Sequence, residues 1–130
     1  MTENSKFLQS FIIFGEPASK ANSRRLVLFG KKPAFIKSKK AITYLQGFAL
    51  QCPMNQVLFE EDLLVHMDIY YQSRRPDLDE SVGLDCMQGK IYVNDRQVKH
   101  KVVYWGLDRE RPRTHVRVSP LEICDVPSDF

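Results

Sequence analysis

Leu63-Leu64-Val65-His66-Met67-Asp68-Ile69-Tyr70-Tyr71, the centre of an extended run from Asp62 to Gln72, is the stretch on which the fold turns. Leu63, Val65, Met67, Ile69 and Tyr71 share one parity, and Leu64, His66, Asp68 and Tyr70 share the other. Successive side chains of a strand point to opposite faces, so the pattern predicts a half-buried strand with one wholly apolar side. His66, on the mixed side, reads as a structural or solvated histidine. Pro76 has no amide hydrogen to give a ladder, so the strand ends before it or lies on an edge.

Upstream of that strand, residues 7–14 predict a first strand, broken by Gly15, Pro17 and Ser19. A polar, basic loop follows, with Lys20, Arg24 and Arg25. Residues 26–29 and 34–36 read as a short hairpin around Gly30-Lys31-Lys32-Pro33. Ser38 is a natural N-cap for a helix over 39–51, in which Ile42, Leu45, Ala49 and Cys52 recur at helical spacing until Pro53 stops it. Downstream, a helix is predicted over 80–88, with Asp79 as N-cap and Gly89 as stop. Ile91-Tyr92-Val93 leads into an Asn94-Asp95 turn, and residues 98–105 and 114–123 read as two further strands. No repeat or low-complexity tract interrupts the chain.

The 130 residues fit one domain, long enough to bury a core without disulfides or a structural metal. Cys52, Cys86 and Cys124 form no C-x-x-C pair and read as reduced thiols, and the three histidines have no zinc-ligand spacing. No apolar run approaches the ~20 residues of a membrane span. The Met1–Lys6 start has no basic n-region or small-residue cleavage site. These features predict a soluble, cytoplasmic protein with no membrane partner and no small-molecule cofactor. The net charge of +3 is mild, so the placement of the charges matters more than their sum.

Two segments concentrate the chemistry: Arg74-Arg75-Pro76-Asp77-Leu78-Asp79 and Asn94-Asp95-Arg96-Gln97-Val98. In extended chain, residues i and i+2 project to one side, so Asp77 and Asp79 are expected to reach one site, with Asp95 brought alongside by a sheet. Converging carboxylates suit Mg²⁺, which takes oxygen ligands and activates water against a phosphodiester. Taken alone, Asp-x-Asp is more often a pattern of solvated loop acids and helix caps. The flanking arginines and the second acidic turn argue for more. Paired as a hairpin, strands 98–105 and 113–119 would set Lys99 and Lys101 beside Arg113, His115 and Arg117 on one basic face, extended by Arg109 and Arg111. Such a face, with Lys20, Arg24, Arg74 and Arg75, suits contacts to a nucleic-acid backbone.

Taken together, Asp77-Leu78-Asp79, Leu84-Asp85-Cys86-Met87-Gln88-Gly89 and Asn94-Asp95-Arg96-Gln97-Val98 resemble the pattern of RusA-type Holliday-junction resolvases. Gly15-x-Pro17-x-Ser19-Lys20-x-Asn22 resembles that family's N-terminal segment, and the likeness runs from about residue 11 to 123. The resemblance implies a single compact α+β domain, a mixed β-sheet with two helices packed on it, that dimerises. It implies a Mg²⁺-dependent endonuclease, with Mn²⁺ as a possible substitute ion, that resolves four-way and related branched DNA by paired symmetric cuts in recombination and repair. Asp77, Asp79 and Asp95 fall on the catalytic aspartates, and Asp85 on a further aspartate of the metal site. The chain departs from the family at Glu80, where relatives carry asparagine, at Gly83, where they carry lysine, and at Asn94, the first position of the acidic pair. Its helix is also slightly shorter. Lys90, Lys99 and Lys101 are candidates to supply the missing cation. The departures leave a second expectation, a non-cleaving branched-DNA-binding protein of the same fold. A third, a nucleotide-processing enzyme using Asp-x-Asp, lacks a Gly-rich phosphate loop.

Overall fold

A computed structural model of the chain describes residues 8–17, 24–29, 32–76 and 78–121, the segments 24–29 and 32–37 through their backbone alone. In chain order the elements are β1 (Gln9–Phe14), β2 (Arg24–Phe29), β3 (Lys32–Lys37), α1 (Lys39–Gln51), β4 (Leu63–Tyr71), α2 (Ser81–Met87), β5 (Val98–Leu107) and β6 (Arg113–Pro120). A 3₁₀ turn, Asp95–Gln97, precedes β5.

The alternating Leu63–Tyr71 strand is central. The main sheet has four strands in the order β1-β6-β4-β5, with β4 antiparallel to β6 and parallel to β5. Leu63, Val65, Met67, Ile69 and Tyr71 are all buried, while Leu64, His66, Asp68 and Tyr70 are half-buried. A strand with one wholly apolar face gains most where both of its edges are paired. β5 carries Lys99, His100 and Lys101 and stands at the edge, where charged residues discourage pairing with another chain. This order overturns the expected pairing of the last two strands as a hairpin. β4 lies between them, and its parallel partnership with β5 requires the crossover that carries α2.

The two helices pack on the apolar side. Ala41, Tyr44 and Phe48 form the buried face of α1, with Cys52 just beyond it. The face is therefore rotated from the one expected through Ile42, which is 40 % exposed. Ser38 caps α1 as predicted, its Oγ accepting from the Ala41 amide at 3.2 Å. α2 approaches closely at the buried Gly83, where an added Cβ would lie 2.8 Å from the Met67 methyl and 3.1 Å from the Phe48 ring. Gly83 is thus a packing residue at the meeting of α1, α2 and β4. Gly89, with φ +84°, turns the chain out of α2 in a conformation that favours glycine.

β2 and β3 pair antiparallel as a separate two-stranded sheet, as the hairpin reading expected. Arg24 and Arg25 belong to β2, opposite Lys37 and Ile36, and not to the preceding loop. They extend the β-forming run that continues through Leu26. No helix among the described residues is long and apolar enough to cross a membrane.

Candidate metal and nucleic-acid site

The crossover between β4 and β5 carries every acid singled out in the sequence. On its first arm, the Pro76 carbonyl accepts from Trp105 Nε1 at 3.2 Å, and the Asp79 amide donates to the Tyr71 hydroxyl at 3.1 Å. Trp105 and Tyr71 stack with centroids 5.8 Å apart, so this aromatic pair anchors the backbone at positions 76 and 79. Burial pushes the Tyr71 phenol up to about 12, so it remains protonated at neutral pH. Asp77 lies outside the described residues, as does Lys20; Arg24 is described in its backbone only.

Asp79 is buried, 8 % exposed, and its Oδ1 accepts from both the amide and the hydroxyl of Ser81, at 3.0 and 2.7 Å. This corrects its expected position as helix N-cap. Glu80 holds that position without a side-chain capping bond, while Asp79 ties down the first residue of α2 from one step further back.

Ser81 lines a cavity of about 330 Å³ with Asp85, Asp95, Lys99, Lys101 and the apolar Leu84 and Val98. Asp85 projects from α2 and Asp95 from the 3₁₀ turn, and both are exposed. Their carboxylates also act on one ring: burial first, then Asp95 and Asp85, push the Tyr92 phenol above its usual range. The turn carrying Asp95 is firmly built. Asn94 Oδ1 accepts from the Arg96 amide at 2.9 Å, and Gln97 Oε1 accepts from the Asn94 amide at 2.9 Å. Gln97 Nε2 donates to the carbonyls of Phe59 and Glu61, at 2.8 and 2.9 Å. Gln88 at the end of α2 accepts the Asp95 amide at 2.8 Å, coupling the two acid-bearing segments.

Lys101 Nζ lies 2.7 Å from Glu80 Oε2 and is held at the rim of this cavity. Lys90 instead donates to the Ala49 carbonyl at the end of α1. Of the three candidate lysines, Lys99 and Lys101 therefore adjoin the acids. Sequence reasoning missed Ser81 as the link between Asp79 and the cavity, and Glu80 as the partner of Lys101. Glu80 stood out in the sequence only as a mismatch to the resolvase pattern.

Arg113 and Arg117 lie elsewhere. Both project from the opposite side of the sheet, in register with Tyr70 and His66 of β4. Arg113 meets Asp108 at 2.6 Å and His115 at 2.9 Å, with its guanidinium 4.3 Å from the Tyr70 ring centroid. Arg117 lies 2.9 Å from His66 and 3.3 Å from Asp68. Lys101, paired in register with the buried Val65, belongs to the helix side. The single basic face expected from strand parity is therefore split in two. Arg74 and Arg75 are exposed beside the first acidic arm.

Ser81, Asp85 and Asp95 offer oxygen donors, the kind of ligand Mg²⁺ takes, but only two of the three are carboxylates. Among the described residues, no three acidic, histidine or cysteine side chains converge closely enough to hold a metal ion. No protein-family model and no curated protein matches this chain.

Proposed function

We propose that the protein is a Mg²⁺-dependent, structure-selective DNA endonuclease that resolves four-way and related branched DNA in recombination and repair. The observation that carries this reading is the convergence of Asp85 and Asp95, from separate segments, on one cavity with Lys99, Lys101 and the serine that grips Asp79. Asp85 and Asp95 line the cavity, and with Asp77 and Asp79 of the adjoining arm drawn in by the ion they would hold Mg²⁺, which would supply Lewis-acid assistance to phosphodiester hydrolysis. Lys101, steadied by Glu80, would bring a positive charge to the phosphoryl group as it gathers negative charge, the part that the resolvase resemblance gives to a lysine at position 83. Arg74, Arg75 and Lys99 would hold the flanking backbone, with Lys20 and Arg24 as further contacts, while Arg113 and Arg117, engaged with Asp108 and Asp68 on the opposite side of the sheet, stand outside this surface. Paired symmetric cuts need two related sites, so the working unit is a homodimer.

The test is cleavage of a synthetic four-way junction beside its matched linear duplex, with Mg²⁺ or EDTA, by wild type, Asp79→Asn and Asp95→Asn. Metal-dependent paired cuts confined to the junction are expected, with a loss of at least about a hundredfold in each variant. Asparagine keeps the oxygen that accepts from Ser81, so Asp79→Asn separates chemistry from folding. Cleavage that survives both substitutions removes the metal-site assignment. Junction binding without cleavage under any divalent ion selects the non-cleaving reading.

A further inference from the structure

Two cavities meet where β1 and β4 both end. One, of about 730 Å³, runs along the start of α1 past Phe14, Lys39, Lys40 and Tyr44. The other, of about 410 Å³, is bordered by Arg75, Pro76 and Arg109. They adjoin across Glu16, Lys40 and Gln72, making a cleft with these three at its middle.

Glu16 is the hub of this cleft. Its side chain is only 6 % exposed, and its two oxygens accept from the Gln72 amide at 2.7 Å and from Lys40 Nζ at 2.6 Å. The carboxylate therefore ties the ends of β1 and β4 to α1. Lys39, Lys40, Arg75 and Arg109 stand against it, four cations to one acid, and no other acid lines either cavity among the described residues. Lys39, Arg75 and Arg109 are all exposed.

The cations are spread along the cleft, from α1 to the loops after β4 and β5, and not gathered at one point. A spread of this kind suits a ligand with repeating charge, and the two guanidinium forks suit phosphate oxygens. Phe14, 55 % exposed, adds an apolar wall on which a base or sugar can lie. The far end of the cleft is Pro76, inside the Arg74–Asp79 segment itself.

We propose that this cleft takes a phosphodiester segment of one nucleic-acid strand and leads it toward the acidic crossover. The inference rests on the DNA-cleaving reading above; it adds Lys39 and Lys40 to the contact surface and moves Arg109 from the expected strand face to this cleft. Lys40 is held by Glu16, so its removal would strand a buried carboxylate. Lys39 and Arg109 are the clean probes.

The experiment is anisotropy titration of a labelled four-way junction in EDTA, between 50 and 200 mM salt, with wild type, Lys39→Ala, Arg109→Ala and the double variant. Thermal melting of each variant checks that the fold is intact. Each single substitution is expected to weaken binding roughly fivefold to tenfold near 0.1 M salt, and the double variant to lower the salt slope by about two. Wild-type affinity and slope in both single variants and the double variant, with junction binding by wild type intact, overturns the cleft and leaves the DNA reading standing. Absence of DNA binding by wild type overturns both.

Discussion

The two sides of the four-stranded sheet handle their charges differently. On the open side, Arg113 and Arg117 are drawn into contacts with Asp108, Asp68, His66, His115 and Tyr70, so acids and bases of the same surface engage one another. On the helix side, Asp85 and Asp95 of the crossover share a cavity with Lys99 and Lys101, and of those two lysines only Lys101 has an ion-pair partner, Glu80, among the described residues. Strand parity alone had placed all these cations on one face. The insertion of β4 between β5 and β6 separates them, so the same alternation yields a self-contained network on one side and a cluster suited to a ligand on the other.

The largest expected effect tests the helix side at Gly83. Read as a lost lysine, that position invites restoration. Read as packing, it forbids it, because a Cβ would press on the Met67 methyl and on the Phe48 ring. The methyl could swing aside, but the Phe48 ring is fully buried and would have to shift within the core. Overpacking of this kind costs about 1–3 kcal/mol, and a buried ammonium adds more, so Gly83→Lys should lose at least about 3 kcal/mol in urea unfolding. A stable Gly83→Lys protein with raised cleavage would return position 83 to the chemistry and undo the assignment of its part to Lys101.

Next in size is Gln97→Ala. Its amide makes bonds to Asn94, Phe59 and Glu61, which makes it the main brace of the turn carrying Asp95. At about 1 kcal/mol for each net bond, and with partial replacement by water, a loss of about 2 kcal/mol is expected. If instead stability is unchanged, the turn does not depend on Gln97, and the Asn-Asp-x-Gln-Val pattern needs another explanation.

The success and failure of sequence reading divide along physical lines. The Leu63–Tyr71 alternation, the Ser38 cap and the bounds of α1 were legible because each is a local matter of side-chain period or capping. The neighbour of β5 was not, because strand order is decided by which strand gains most from two paired edges, a comparison across the whole chain. The rotation of α1 toward Tyr44 and Phe48 was missed for a related reason: Ile42 and Leu45 satisfy the same spacing one step round the helix. At the candidate site the acid-bearing segments were legible, but their scaffolding was not. Ser81, Glu80 and Gln88 are ordinary surface residue types until the crossover folds back on itself.

Glu80→Gln gives a smaller effect and bears directly on the contrast between the faces. Lys101 is half-exposed, so its pair with Glu80 should contribute less than about 1 kcal/mol to stability. Under the proposed function, cleavage should nonetheless fall about tenfold, because the ammonium loses its anchor beside Asp85 and Asp95. The matching removal on the open side, Arg117→Ala, should leave the cleavage step at saturating DNA unchanged. Equal losses at both positions would erase the distinction between a site and a self-contained network.

The smallest effect is one of pH, and it belongs to the open side. Partial burial and then the charge of Arg113 hold the His115 imidazolium below the ordinary histidine value of 6.5. The geometry agrees, since His115 Nε2 accepts from Arg113 Nε and so needs its lone pair. The unfolded chain therefore takes up this proton first as pH falls, and the associated stability is complete above pH 6.5 and declines below it. Asp108 acts in a lower window. Its hydrogen bond from Arg113 lowers it beneath 3.8, so its contribution is complete above that value and is lost as pH falls further. Gln at position 115 can still accept from Arg113 but cannot titrate. Thermal melting of His115→Gln should show a flatter profile than wild type between pH 7.5 and 5, with the acid limb below pH 4 retained. Parallel profiles for the two proteins would mean that the Arg113–His115 contact is not maintained in solution, and the open side would then lose the internal pairing that sets it apart from the helix side.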